Sequence, residues 1–256
     1  MKPRQNLIFG IHPVNEAIRS GKSIDKVLIK QGFRIESIPG LFHTLREANI
    51  PFQYVPLEKL NRLTGGNHQG IIALVSELEY TDLEKLVPIL FEQGKLPALV
   101  MLDSITDVRN LGAIARSAHC AGIDALIIPG KGSAQINADA IKTSAGALNS
   151  IPVCRVNSLA DSAKFLHESG FHLIAATEKA ADIIYTADFT KPVVLMLGAE
   201  DTGIDLKLLK MADALVRIPM YGAISSLNVS AAASVFFFEM VRQRNFMNQG
   251  PEGIKK

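Results

Sequence analysis

The amino-acid sequence predicts an α/β protein of two units, a small one followed by a larger one on a parallel sheet, on three observations. Short apolar runs alternate with amphipathic stretches through the first third of the chain. From Ala98 onward, solid apolar runs alternate with helical patterns, the rhythm of parallel strands covered by helices on both faces. Finally, 256 residues of which 48% are hydrophobic supply one large or two small cores, and length favours two.

The first unit, residues 1–78, is read from the runs Asn6 to Phe9, Pro13 to Arg19, Lys26 to Ile29, Glu36 to Glu47, Phe52 to Val55, Leu57 to Leu63 and Ile71 to Val75. Residues 79–97 turn acidic and mixed, with Asp82, Glu84 and Glu92 ahead of a Gly94-Lys95-Leu96-Pro97 break, and read as a linker and the first helix of the second unit. That unit, 98–247, has expected strands at Ala98 to Asp103, Ala125 to Ile128, Ile151 to Arg155, His172 to Thr177, Val193 to Leu197 and Ala214 to Ile218. Helices are expected near Asn110 to Cys120, Asn137 to Ser144, Leu159 to Glu168, Leu206 to Met211, and from Leu227. The polar 248–256 tail, with its Gly-Pro, is expected to be disordered.

Composition excludes several classes. The longest apolar runs, such as Pro192 to Gly198 and Ala231 to Phe238, fall far short of the roughly 20 residues of a bilayer helix. The opening MKPRQNLIFG has no apolar stretch of signal-peptide type, which points to the cytoplasm. Cys120 and Cys154 lie far apart with no ligand-spaced partners; they are expected to be buried thiols, and no metal site is expected. A net charge of +2 neither demands nor forbids a nucleic-acid partner. No HExxH, Walker A or Ser-His-Asp pattern supports hydrolysis.

Function concentrates late in the chain. In Arg217 to Ser230, RIPMYGAISSLNVS, a strand runs through Pro219 and Gly222 into an apolar helix, and Ser225, Ser226 and Asn228 fall where a first helical turn has unpaired N–H groups. Ligands of open parallel sheets bind outside the carboxyl ends of the strands, where Thr177, Gly198 and Ile218 fall. Gly198-Ala-Glu-Asp-Thr-Gly203 invites a dinucleotide reading, but Glu200 replaces the middle glycine and would repel a pyrophosphate. By itself the segment reads equally as a helix-entry loop, and Ser226 and Asn228 as a cap. Arg116 follows Asn110 by six residues, so the two share an edge only if Asn110 lies at or before the helix cap.

Taken together and in order, N-L-G-A-I-A-R-S-A-H-C-A-G (110–122), L-G-A-E-D-T-G (197–203) and S-S-L-N-V-S before an alanine-rich helix resemble the three signature motifs of the SpoU (TrmH) RNA 2′-O-ribose methyltransferases. The resemblance covers nearly the whole chain. I-F-G-I-H-P-V-N-E-A-I and G-N-H-Q-G-I are similar to the RNA-recruiting N-terminal domain of members that methylate a guanosine of large-subunit (23S) ribosomal RNA.

This resemblance implies a knotted SPOUT-type sheet domain, its trefoil formed by about Val193 to Phe238, after a small L30e/L7Ae-like RNA-binding domain. It implies S-adenosylmethionine held by Thr177, Gly198, Ile218, Met220 and Leu227. It implies catalytic positions at Asn110, Arg116, Glu200, Ser226 and Asn228 in a site shared across a homodimer. RNA contacts are expected from His12, Asn15, Arg19, Asn67, His68 and Gln69, with phosphates held by Arg19, Arg34, Arg62 and the Gly65 to Gly70 loop. Arg116 either activates the ribose hydroxyl or stays charged and clamps a phosphate, since a guanidinium gives up its proton with difficulty. The partner is ribosomal RNA or an assembling large subunit. Another rRNA or tRNA site, or a noncatalytic RNA-binding assembly factor, is the competing function; an NAD-dependent oxidoreductase lacks its GxGxxG.

Overall fold

The computed structural model describes residues 7–33, 40–48 and 50–246. They fall into two compact units, Met1–Tyr80 with Gln135–Ala138, and Thr81–Ala134 with Asp139–Lys256. The expected tail, Arg34 and the start of the expected Glu36 helix lie outside the described residues.

The first unit runs β1 (Leu7–Phe9), α1 (Ile11–Arg19), β2 (Ile24–Lys30), α2 (Leu41–Glu47), β3 (Phe52–Val55), α3 (Leu57–Leu63) and β4 (Ile71–Val75). Its sheet has the order β1-β4-β2-β3, with β4 antiparallel to both neighbours and β3 parallel to β2. Strand side chains alternate between faces, and both faces here are covered. Val27, Ile29, Ile71 and Ala73 pack with Val14, Ile18, Leu41 and Leu45 of α1 and α2. On the other face Leu28 and Ile72 meet Val55 and Leu60 of α3. The sheet is therefore sandwiched, with the turn between α3 and β4 at one end of it.

The second unit runs α4 (Leu83–Glu92), β5 (Ala98–Asp103), α5 (Val108–Cys120), β6 (Ala125–Pro129), α6 (Ala138–Thr143), β7 (Val153–Val156), α7 (Leu159–Glu168) and β8 (His172–Ala176). It continues through β9 (Asp182–Ile183), β10 (Val193–Gly198), α8 (Leu206–Met211), β11 (Ala214–Arg217) and α9 (Val229–Phe246). Helix starts follow side-chain caps: Asp82, Asp107, Ser158 and Asp205 each accept a first-turn N–H. Asp107 as cap starts α5 two residues before the expected Asn110. The last helix begins at Val229 instead of Leu227, because Asn228 is its cap and Oδ1 accepts from Ser230 N at 3.0 Å. The two-residue β9 is too short to register as a hydrophobic period.

All seven strands are parallel, in the order β7-β6-β5-β10-β8-β11-β9. Leu99, Val100, Met101 and Leu102 of β5, like Val193 to Leu197 of β10, are buried, as central strands covered on both sides require. Two late strands are inserted between earlier ones: β10 lies between β5 and β8, and β11 between β8 and β9. That interleaving puts the ends of β10, β8 and β11 side by side. At the far end of α9, Arg244 donates to the carbonyls of Leu96, Phe189 and Lys191, so the helix is fastened as well as packed.

Cys154 is buried as expected, but Cys120 is exposed on α5. Burial pushes the Cys154 thiol up to about 12, with the Asp82 carboxylate adding to the shift, so this sulfur packs as a hydrophobe. Among the described residues no helix is long and apolar enough to cross a membrane.

Candidate active site

A cleft of about 620 Å³ opens over the carboxyl ends of β10, β8 and β11. Thr177 follows β8, Gly198 ends β10 and Ile218 follows β11; with Met220 and Leu227, all five residues expected to hold a cofactor line this one cleft, as do Glu200 and Ser226. Strand ends of this kind offer backbone N–H and C=O groups to a polar ligand.

Gly198 has a different reason for being glycine from the one its motif suggests. A Cβ there would lie 2.2 Å from Gly203 C and 2.4 Å from Ile204 N, inside the protein's own backbone. The loop folds back so that Gly203 N donates to Ala199 O at 2.9 Å, with Gly203 at φ +70°. The glycine admits this return of the chain.

Residues from all three motifs meet at the rim. Glu200 Oε1 accepts from Asn110 Nδ2 at 3.1 Å, from Asn228 Nδ2, and from Val229 N at 3.3 Å. Asn228 Nδ2 also reaches Asn110 Oδ1 at 3.0 Å. A carboxylate is acceptor-only, so one oxygen gathers donors from α5 and from the start of α9. Further along the same helices, Ser117 and Ser234 share a hydroxyl hydrogen bond of 2.8 Å. Asn110, Glu200 and Asn228 are thus brought together as a clamp.

Arg116 is not part of that clamp. Asn110 occupies the third position of α5 instead of its cap, so six residues on Arg116 points elsewhere, and the shared edge that the sequence required for the pair does not form. Arg116 is exposed, does not line the cleft, and has no hydrogen-bond or ion-pair partner among the described residues. Ser226 lines the cleft, but Ser225 and Ser226 are exposed and Asn228 alone caps the helix. Phe236 and Phe237 are buried, and Phe238 is 53% exposed.

Sequence reasoning missed Asp103 and Ser104. Both line the cleft at the end of β5, opposite Gly198 in register. Asp103 Oδ2 accepts from Asp205 N at 2.7 Å, and Oδ1 from Ser104 Oγ at 3.0 Å, while Ser104 adopts φ +59°. The carboxyl-end rule that singled out Thr177, Gly198 and Ile218 applies equally to β5 and would have found them.

In the first unit, His12, Arg19 and Asn67 are exposed, and Asn15 Oδ1 is buried without a partner among the described residues. His68 is 8% exposed and both of its ring nitrogens are engaged. Nδ1 accepts from Gly70 N at 3.0 Å, which leaves Nε2–H to donate to Asn61 Oδ1 at 2.8 Å. His68 therefore braces the turn through both ring nitrogens. Gln69 is partly committed as well, since its Oε1 accepts from Ile11 N at 3.0 Å at the start of α1, where Gly10 has no side chain to cap with.

Residues 97–238 match the SpoU rRNA methylase family, and residues 7–81 match the RNA 2′-O ribose methyltransferase substrate-binding family. The chain belongs to the SpoU rRNA methylase family. This SpoU chain is 38% identical over 244 residues to the 23S rRNA (guanosine-2′-O-)-methyltransferase RlmB of Photorhabdus laumondii, covering 93% of this chain and 98% of that one. It is 34% identical over 239 residues, 93% and 96% of the two chains, to a protein of Staphylococcus haemolyticus named only at the level of the TrmH family of tRNA/rRNA methyltransferases. Among solved structures it resembles the SpoU methyltransferase AviRb of Streptomyces viridochromogenes in complex with the cofactor AdoMet, with a TM-score of 0.60, 25% identity, and coverage of 94% and 90%.

Proposed function

We propose that this SpoU-family protein transfers the methyl group of S-adenosylmethionine to a ribose 2′-hydroxyl of RNA, and that its target is a guanosine of 23S ribosomal RNA. The observation that carries the reading is the meeting of Asn110, Glu200 and Asn228, one from each motif segment, beside a cleft at the strand ends that the second and third segments line. When bound, S-adenosylmethionine supplies a methyl group already activated by the sulfonium charge, so the protein's work is placement. The lining suits a cation: Asp103, Glu178, Glu200, Asp201 and Asp205 outnumber Lys179 and Arg217. The backbone of Thr177, Gly198, Ile218, Met220 and Leu227 supports the adenosine and methionine portions, and Ser226 faces the ribose. No metal takes part.

Glu200, Asn110 and Asn228 hold the start of α9 against α5 and so fix the rim over which the RNA lies. Arg116 binds the phosphate beside the target ribose or helps its hydroxyl to lose a proton. Because one chain leaves Arg116 outside its own cleft, the protein works as a homodimer whose partner supplies this side chain. The two inserted strands are read as the crossing of a trefoil knot through about Val193 to Phe238. The first unit recruits the RNA; the 23S guanosine assignment rests on the likeness to the Photorhabdus enzyme.

Calorimetry tests the cofactor. S-adenosylmethionine and S-adenosylhomocysteine should bind and NAD should not, with turnover unchanged by chelator. Binding of NAD in place of either would sink the reading.

A further inference from the structure

A second cleft, of about 440 Å³, lies in the first unit and is lined by Lys30, Phe33, Leu57 and the 66–70 turn. We propose that it receives a single unstacked nucleobase of the RNA substrate, with Phe33 as the stacking surface and the amides of Asn67 and Gln69 reading the base edge. The proposal rests on the reading of this unit as RNA-binding and goes beyond it by naming the subsite and the form of RNA it takes.

Construction of the cleft supports a base over a phosphate. Its walls include an aromatic ring and Leu57, which is 37% exposed although large and apolar. A phosphate site would instead gather several cations and N–H donors, and Lys30 is the one cation in this lining. Phe33 is held in place by its surroundings. Phe33 N donates to Lys30 O at 3.1 Å through a turn with Gly32 at φ +72°, and the ring rests on Gly70, where a Cβ would come within 2.9 Å of Phe33 Cδ2. Gly70 is itself fixed by its N–H bond to His68 Nδ1 and by Lys30 N donating to its carbonyl at 2.8 Å. An aromatic side chain already fixed on a glycine loses little freedom when a base stacks on it.

Polar groups are placed for edge recognition. Asn67 is exposed, with both amide functions to offer, while Gln69 has its carbonyl engaged at Ile11 and keeps its NH₂ as a donor. Amides pair with base edges, and single-stranded RNA is read in this way, by stacking plus edge hydrogen bonds. Lys30 beside them can meet the adjoining phosphate.

The test uses the full-length protein and two probes: a 23S rRNA fragment in filter binding, and a loop RNA carrying 2-aminopurine, whose fluorescence falls on stacking. Phe33→Leu keeps an apolar side chain over Gly70 but removes the stacking face; it should weaken fragment binding about tenfold and abolish the quenching. Phe33→Tyr should retain both, which separates stacking from misfolding, and Asn67→Ala should weaken binding while leaving the quenching. Lys30→Ala should lower affinity for every RNA alike and flatten its salt dependence. Wild-type quenching and affinity in Phe33→Leu would overturn the base subsite while leaving the unit an RNA binder. A wild-type protein that binds no ribosomal RNA would overturn the subsite and the RNA-binding reading together.

Discussion

The two clefts differ in what they are made of. Over β8, β10 and β11 the lining gathers at strand ends, positioned by a seven-stranded sheet whose register sets Gly198 opposite Asp103. Beside β2 and β4 the lining joins Lys30 at the end of β2 and Leu57 at the start of α3 to the turns that carry Phe33 and Asn67, at a four-stranded mixed sheet. A lining at strand ends cannot be moved without altering the sheet, so substitutions in the first cleft should change stability and cofactor binding together. Side chains on turns can change one at a time, so substitutions in the second should leave the fold in place.

Arg116 provides the sharpest break in that coupling, and the largest effect. It lies in the sheet unit yet touches neither the cleft nor the clamp, so Arg116→Ala should lower methyl transfer by about a hundredfold or more while the melting temperature and S-adenosylmethionine affinity hold. Single-turnover kinetics beside calorimetry checks this. A large loss of cofactor affinity would place Arg116 on the cofactor side after all.

Gly198→Ala should show the opposite signature. The added methyl meets the Gly203 and Ile204 backbone, so stability should fall by about 1–3 kcal/mol and cofactor binding should fall with it. A stable variant that only binds cofactor poorly would mean that the glycine serves the ligand directly.

Smaller again is the clamp. Glu200→Gln keeps one acceptor oxygen for Asn110, Asn228 and Val229 but removes the negative charge that strengthens those bonds, costing about 1 kcal/mol. Its turnover should fall more than its cofactor affinity, because the clamp shapes the rim over the RNA. Equal losses in both would make Glu200 a cofactor ligand.

The smallest effect is a pH dependence at the far end of α9. Hydrogen bonds from Arg242 and then Gln243 hold the Glu239 carboxyl below its usual range, although burial pushes it the other way. A depressed carboxyl stabilises the fold above its unfolded pKa and loses that contribution as pH falls through the folded value. Glu239→Gln should therefore melt earlier at neutral pH and show a weaker acid dependence than the parent in thermal scans. Parallel melting curves at every pH would remove this role.

These contrasts also explain what could be read from the sequence. The all-parallel strands were legible because buried strands are solid apolar runs, and Thr177, Gly198 and Ile218 because a strand end is visible in one dimension. The clamp was only half legible. Asn110, Glu200 and Asn228 came from motifs, but their meeting depends on helix starts set by Asp107 and Asn228, and a shift of two residues at α5 separates Asn110 from Arg116. The bracing of Gly70 and Asn61 by His68 was not legible, because turn polarity looks the same whether a ring faces solvent or holds its neighbours. The strand insertions were hidden because order in a sheet is a long-range property that no local period records.

The central claim is the reaction itself, and nucleoside mass spectrometry tests it most directly. Purified full-length protein, deuterium-labelled S-adenosylmethionine and unmodified 23S rRNA should yield labelled 2′-O-methylguanosine, and Arg116→Ala should not. Label on a base, or no transfer by a protein that binds both the cofactor and the RNA, would contradict the account.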